Sequence, residues 1–481
     1  MSKSESFTVE LKILSKETGI YFVGSVVPKV IGFFIIPIFT RVFSREEYGE
    51  IEILMSFSNL LGIVITMGVD TALSFYFFSL PEKRKEVISS IIHIKVLIFG
   101  LVFLTILMMS RKFVEFMQVE KILIYIFSFY ALEQTLIAIF LNVLRLQRRP
   151  RNYVIYNTLN SLFSSALAIV LCAKFKLGVY GFATAIFTTS GATLIALILT
   201  LRENIIIYPA SPDIYKKVIF FGFPLMFSGL SSYLLNFTDR WMLNTFLGKD
   251  YVGIYGVGAS FSLSFDIFIT SFSIAFMPYA LEQINKPDIN DSVEKLIKFW
   301  RYYSGFSFII FAVFLIFTYF VFDFIVDKKF SEGKYVIPFL TMKSIFFGAT
   351  YFSSLGTWKM ERSYLYSAAT IAGGFFNVAL NYVFIKAFGI VGASISTAIS
   401  MLITLILSFT FSEFLFPIKF KFSKSILILC CGILLSVAFL LIDEKWKLTL
   451  ISVLSIITTS VITFEKKEFS FLKKRLWKNK I

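Results

Sequence analysis

Fourteen apolar stretches, each about as long as a membrane-spanning helix, leave this chain little choice of fold. About twenty helical residues cross the ~30 Å hydrocarbon core of a bilayer. Stretches of that kind cover 18–40, 51–78, 87–109, 121–144, 153–173, 178–201, 217–239, 252–280, 297–322, 335–358, 363–385, 389–413, 424–442 and 447–464. Charged residues make up 16% of the 481, against about 25% in soluble domains. The runs are continuous rather than alternating in ten-residue segments, which excludes a transmembrane barrel. The expected fold is all-α: a polytopic membrane protein of about fourteen transmembrane helices. Residues 1–17 are polar and mixed in charge, so they read as a tail rather than a cleavable signal peptide. Cys172, Cys430 and Cys431 fall inside spans, as small apolar packing residues rather than a disulfide framework.

The excess of 47 Lys and Arg over 31 Asp and Glu invites a nucleic-acid partner, but its distribution argues against one. If the N-terminus is cytoplasmic, the loops on that side, with Lys83, Arg84, Lys85, Arg145, Arg148, Arg149, Arg151 and the tail FLKKRLWKNKI, hold roughly twice as many basic residues as the opposite side. Both termini are therefore expected in the cytoplasm, and the basic tail 465–481 is expected to meet anionic lipid head groups. The longest connections, near 202–216 and 281–296, have no room for a nucleotide-binding domain, and no GxxxxGK[ST] occurs, so direct ATP drive is not expected. One histidine, His93, gives no zinc-ligand spacing. No catalytic residue, metal or cofactor is expected.

The chain repeats itself. Residues 151–190 align with 362–401 at one constant offset, matching Arg151 with Arg362, Tyr153 with Tyr364, Ala168 with Ala379, Gly178 with Gly389 and Gly181 with Gly392. SREEYG (44–49) falls on GKDYVG (248–253). The expected organisation is a tail (1–17), two pseudo-symmetric six-helix lobes (18–201 and 217–413), two extra helices (424–464) and a basic tail (465–481). Parallel repeats of this kind are a transporter architecture, with the substrate path between lobes.

Five segments carry a resemblance to a known family: IPIFTRVFSREEYGEIEI (36–53), MGVDTALSFYFF (67–78), RLQRRPRNYVIYN (145–157), TDRWMLNTFLGKDYVGIYGVG (238–258) and AFMPYALEQ (275–283). In this order they resemble the polysaccharide-transporter branch of the multidrug/oligosaccharidyl-lipid/polysaccharide exporter superfamily, the Wzx-type O-antigen flippases. In 67–78 this chain has Ser74 and Phe75 near where many members place an Arg. The resemblance covers about 1–415. It implies a multi-pass protein of the bacterial cytoplasmic (inner) membrane that moves an undecaprenyl-diphosphate-linked oligosaccharide to the periplasmic leaflet by alternating access, coupled to an ion gradient. Partners so implied are that lipid-linked substrate, membrane lipids, a polysaccharide polymerase and a chain-length regulator. Alternatives on the same fold are a multidrug or small-cation exporter and a lipid II or teichoic acid precursor flippase. A membrane-embedded polymerase or ligase would need a large periplasmic loop, which the chain lacks.

Each ionisable group inside a bilayer costs about 2.5–3.5 kcal/mol on insertion scales, so its default reading is functional. Lys29, beside Pro28, is a candidate diphosphate contact or the partner of Asp70, Glu133 or Asp266; Pro28 frees a helical carbonyl. Lys95 and Lys343 are candidate cavity cations. Arg240 is either a cavity cation or an interface pair with Asp239. Arg41 is either a gate at the periplasmic mouth or an interfacial anchor. Asp70, Glu133 and Asp266 are candidates for coupling to Na⁺ or H⁺, with Asp70 ranked first, or salt-bridge partners of nearby lysines. His93 is either a proton carrier or a hydrogen-bonded packing residue. Trp241, Trp300, Trp358 and Trp446, near span ends, are expected as interfacial anchors.

Overall fold

The computed structural model describes residues 3–204, 209–286, 289–442 and 444–463. The tail 465–481, with its expected lipid contact, and the side chains of 1–18 lie outside the described residues. Seventeen α-helices follow one another, and no strand occurs among the described residues. They are α1 (Lys3–Val42), α2 (Arg45–Thr66), α3 (Val69–Ser79), α4 (Arg84–Met108), α5 (Ser110–Met117), α6 (Lys121–Leu146), α7 (Pro150–Ile169), α8 (Gly178–Leu201), α9 (Pro212–Leu247), α10 (Lys249–Ser262), α11 (Asp266–Ile284), α12 (Ile289–Ile325), α13 (Ile337–Ser353), α14 (Leu355–Lys359), α15 (Tyr364–Leu415), α16 (Ser423–Leu441) and α17 (Lys445–Thr463).

Among the described residues, thirteen helical stretches are long and apolar enough to cross a membrane. One of them, α15, has 52 residues, about 78 Å of helix and far more than one crossing requires. It turns at Gly389, whose φ of 58° and ψ of −135° lie outside the helical region, so it supplies two spans and the expected fourteen are recovered. Large apolar side chains on the outside, such as Phe34, Phe220, Phe324 and Phe414 at 68–86% exposure, suit lipid as the surrounding solvent.

Several boundaries differ from the sequence reading. α1 begins at Lys3 rather than 18 and runs through Pro28 and Pro37 to Val42 without a break. The carbonyl that Pro28 leaves without a helical donor, that of Gly24, accepts a hydrogen bond from Asn157 Nδ2 of α7 at 2.8 Å. The expected span 51–78 is two helices, because Met67 (φ 46°) and Gly68 (φ 70°) both adopt left-handed conformations. The break is held by close packing: a Cβ on Gly68 would lie 2.2 Å from the Gly222 carbonyl oxygen of α9. The span 252–280 is likewise divided into α10 and α11.

The chain forms two compact units, 1–260 and 261–481. In the first, Val69, Leu73, Phe77, Val87, Ile91, Phe140, Leu144, Leu197 and Val218 make a buried apolar core. The turn before α2 is locked by a capping box, with Ser44 Oγ accepting from Glu47 N (3.1 Å) and Glu47 Oε2 accepting from Ser44 N (2.8 Å). In the second unit, Trp300 lies in an aromatic cluster with Phe352, Phe409, Phe420 and Phe422. At 6% exposure it is a core residue and not an interfacial anchor, because the 416–422 segment folds over it; Trp446, at 64%, is exposed. Helices α16 and α17 pack on α12, where a Cβ on Gly305 would meet Thr463 and one on Gly432 would meet Phe308.

The repeat appears in the backbone of each unit. Gly178 and Gly389, matched positions, both take a positive φ, 51° and 58°, and each begins the helix that follows. Arg148 and Glu361, two residues out of the repeat's register, also take left-handed conformations, at 52° and 54°, just after α6 and α14 end.

Candidate functional site

The break between α2 and α3 opens a cavity in the first unit. It has a volume of about 400 Å³ and is lined by Met55, Ser58, Asn59, Gly62, Ile63, Thr66 and Gly68, by Tyr130, Ala131, Gln134, Thr135 and Ala138 of α6, and by Leu225, Met226 and Gly229 of α9. Small residues at 62, 68, 131, 138 and 229 leave the space, and amide and hydroxyl groups face it from two helices. Asn59 Nδ2 donates to the Met55 carbonyl and Gln134 Nε2 donates to Ser190 Oγ, both at 2.8 Å. A hollow with polar groups in its wall, at a discontinuous helix, is the setting in which membrane transporters hold hydrophilic cargo.

Behind the Thr135 wall lies the one fully buried lysine among the described residues. Lys95 of α4 is 0% exposed. Its ammonium pairs with Asp70 Oδ1 at 2.8 Å and donates to the Thr135 carbonyl at 2.9 Å. Asp70 sits in the first turn of α3, where the unpaired N–H groups of a helix start favour a carboxylate. The geometry thus joins two candidates that the sequence kept apart, and Lys95 presents its charge to Asp70 and Thr135 rather than to open space.

A second polar group joins α2, α9 and α10. Arg240 Nη1 donates to Asp239 Oδ1 (2.9 Å) and to the Asn236 carbonyl (2.8 Å), and its Nε lies 3.4 Å from Glu52 Oε2. The Tyr255 hydroxyl donates to Asp239, and the guanidinium lies over the Phe237 and Tyr255 rings at 5.5 and 5.2 Å. Trp241 Nε1 donates to the Tyr233 hydroxyl, which is 2.9 Å from Ser56 Oγ. Arg240 is therefore ion-paired with Asp239, with Glu52 as an additional partner that the sequence reading missed. Glu52 stands second in the apolar run 51–78, so it looked like a span end; its partner is 188 residues away.

The remaining candidates are dispersed. His93 Nδ1 is 2.7 Å from the Tyr215 hydroxyl, which also accepts from Ala210 N at 3.3 Å. Glu133 is half-buried; its Oε2 has no hydrogen-bond partner among the described residues, and its Oε1 would lie 3.0 Å from a Cβ on Gly191. Lys29 is half-buried on α1. Arg41 is exposed, and its Nη1 donates to the Pro37 carbonyl at 2.7 Å. In the second unit, Asp266 lies in the first turn of α11 with Oδ1 buried and without a hydrogen bond among the described residues. Lys343 is half-buried on α13.

The two ends of the shorter repeat meet within the first unit. A Cβ on Gly49 would lie 2.0 Å from the Lys249 carbonyl oxygen, and one on Gly253 would lie 2.1 Å from that of Arg45. Lys249 Nζ adds ion pairs to Glu46 (3.9 Å) and Glu50 (3.8 Å). This contact holds α2 against α10 beside the Arg240 cluster.

Comparison with known proteins places these features. A family model described as polysaccharide biosynthesis protein matches residues 14–282. An uncharacterized membrane protein of Haemophilus influenzae is 22% identical over 281 residues, 57% of this chain and 67% of that protein. Lsg locus putative protein 1 of the same organism is 19% identical over 289 residues, 56% and 67% of the two chains. Among solved structures, the lipid II flippase MurJ in an inward closed conformation superposes with a TM-score of 0.70 at 15% identity, covering 92% of this chain and 98% of that one. An inward-facing multidrug resistance MATE family transporter of the MOP superfamily gives 0.66 at 14% identity, covering 82% and 97%. At these identities the structures show a shared fold.

Proposed function

We propose that this chain, which belongs to the polysaccharide biosynthesis protein family, is a flippase that carries an undecaprenyl-diphosphate-linked oligosaccharide, an O-antigen or similar surface polysaccharide unit, across the cytoplasmic membrane. The observation that carries the reading is the cavity at the α2–α3 break, which has six polar side chains in an otherwise apolar lining. A hydrated glycan needs hydrogen-bonding groups along its path, whereas its lipid tail can stay in the bilayer. Asn59, Gln134, Ser58, Thr66 and Tyr130 supply such groups inside an otherwise apolar body. The protein acts as a transporter, not an enzyme, and works by alternating access with both termini in the cytoplasm.

Coupling is to a proton or Na⁺. Of the candidate acids, Glu133 becomes the first choice, since its Oε2 has no partner among the described residues, while Asp70 is already neutralised by Lys95. Reconstitution into liposomes with a fluorescent undecaprenyl-diphosphate sugar tests the proposal. Protein-dependent transfer between leaflets is expected, with Glu133→Gln weakening its response to an imposed ion gradient. Absence of protein-dependent transfer in either direction would overturn it.

A further inference from the structure

The second unit carries two hollows that meet at Ser425. One is apolar, about 510 Å³, with Trp300, Phe308, Ala349, Leu405, Phe409 and Ile426 in its walls. The other, about 370 Å³, is lined by Lys298, Arg301, Lys421 and Lys424, with Glu294 as the sole acidic side chain in that lining. Ser425 lines both, and its Oγ is 3.0 Å from Ser304 Oγ. The basic hollow is built into the fold. Glu413, at the mouth of the apolar furrow, accepts from Lys419 N at 2.9 Å and from Phe420 N at 3.5 Å. That fixes the segment from which Lys421 and Lys424 emerge, opposite Lys298 and Arg301 on α12. Both hollows lie at the end of the helices that the charge bias assigns to the cytoplasm.

We propose that this composite hollow is a binding site for one anionic glycerophospholipid, its phosphate among the four cations and one acyl chain in the furrow. Four positive side chains against two carboxylates, Glu294 and a Glu413 that already accepts from two backbone N–H groups, complement a phosphate, and the aromatic and aliphatic furrow complements a hydrocarbon chain. At about 30 Å³ per methylene, a water molecule's share of liquid volume, 510 Å³ matches about 17 carbons, one ordinary acyl chain. An undecaprenyl chain has roughly three times as many carbons, so the furrow favours a glycerophospholipid over the carrier lipid. The site lies in the second unit alone, and the inference holds whatever cargo the first unit's cavity serves.

The test measures thermal unfolding of the full-length protein in detergent with added phosphatidylglycerol, phosphatidylcholine or undecaprenyl phosphate, together with native mass spectrometry of retained lipid. Phosphatidylglycerol is expected to raise the unfolding midpoint and to be retained, and phosphatidylcholine is not. Lys421→Ala/Lys424→Ala is expected to weaken phosphatidylglycerol binding at least about tenfold, while Lys83→Ala/Lys85→Ala, on another basic loop, leaves it unchanged. Ile406→Trp, which fills the furrow from an exposed position, is expected to weaken binding of long-chain but not dihexanoyl phosphatidylglycerol. Equal effects of phosphatidylglycerol and phosphatidylcholine on the wild type, a response to undecaprenyl phosphate alone, or undiminished binding in the Lys421/Lys424 variant would each overturn the proposal.

Discussion

Replacing either member of the Lys95–Asp70 pair strands a charge in the first unit. At 2.8 Å and an effective dielectric of about 20, the attraction is roughly 6 kcal/mol, partly offset by the desolvation of a lysine that is 0% exposed. Removing one partner of a buried pair costs about 3–5 kcal/mol, whereas replacing both with apolar groups of similar volume is often neutral. Asp70 is 31% exposed and Lys95 keeps its bond to the Thr135 carbonyl, so the lower end applies. Asp70→Leu alone is expected to destabilise by about 3 kcal/mol, Lys95→Met alone by somewhat less because Asp70 still reaches water, and the double variant to return to within ~1 kcal/mol of the wild type. Chemical unfolding of the four proteins in one detergent measures the cycle, and the same proteins in liposomes report transport. Recovered stability with recovered transport assigns the pair to architecture; recovered stability without transport assigns it to the mechanism. A double variant no more stable than Asp70→Leu would refute the electrostatic account.

Three further perturbations probe other parts of the first unit. Asn157→Leu removes the donor to the carbonyl freed by Pro28 and is expected to lower stability by about 1–3 kcal/mol; in a Pro28→Ala background residue 28 regains its N–H, so unfolding curves should show a smaller loss. Gly49→Ala puts a methyl group 2.0 Å from the Lys249 carbonyl oxygen and is expected to destabilise by about 1–3 kcal/mol, while Gly32→Ala, with nothing within 4 Å, should be neutral in the same thermal assay. Arg240→Ala leaves Glu52 and Asp239 without their shared cation; adding Glu52→Gln removes one of the opposed charges and is expected to restore part of the lost folded yield, measured by size-exclusion chromatography.

What the sequence disclosed follows from how local each feature is. The spans were readable because a continuous apolar run of about twenty residues has few other uses. Gly389 was readable because its match to Gly178 placed both at the start of a span. The break at Met67–Gly68 was not, since no proline interrupts that run and the left-handed turn depends on Gly222, far along the chain. The same distance hid the site. Lys95 and Asp70 were each visible as intramembrane charges, but their pairing, and the Thr135 carbonyl that completes it, are properties of three packed helices. Trp300 was misread because the span end on which it lies is covered by Phe420 and Phe422.

The reciprocal contact at Gly49 and Gly253 explains why the shorter repeat is so faint. Gly49 faces the carbonyl of Lys249, and Gly253 faces that of Arg45; Arg45 and Lys249 are themselves matched positions, so each copy does to the other what the other does to it, as a two-fold relation requires. Near such an axis matched residues meet each other. Glu52 and Gly256 are matched, and a Cβ on Gly256 would lie 2.5 Å from Glu52 Cγ. Glutamate in both copies would bring like charges together and overfill the space, so only one copy can keep it. The carboxylate then reaches Arg240, whose own match is Ile36, buried at 4%. One copy of the symmetric pair is charged and the other is apolar. The identity the repeat has lost at these positions is thus a consequence of the symmetry, and it leaves Glu52 and Arg240 as an ion pair whose matched positions, Gly256 and Ile36, are apolar.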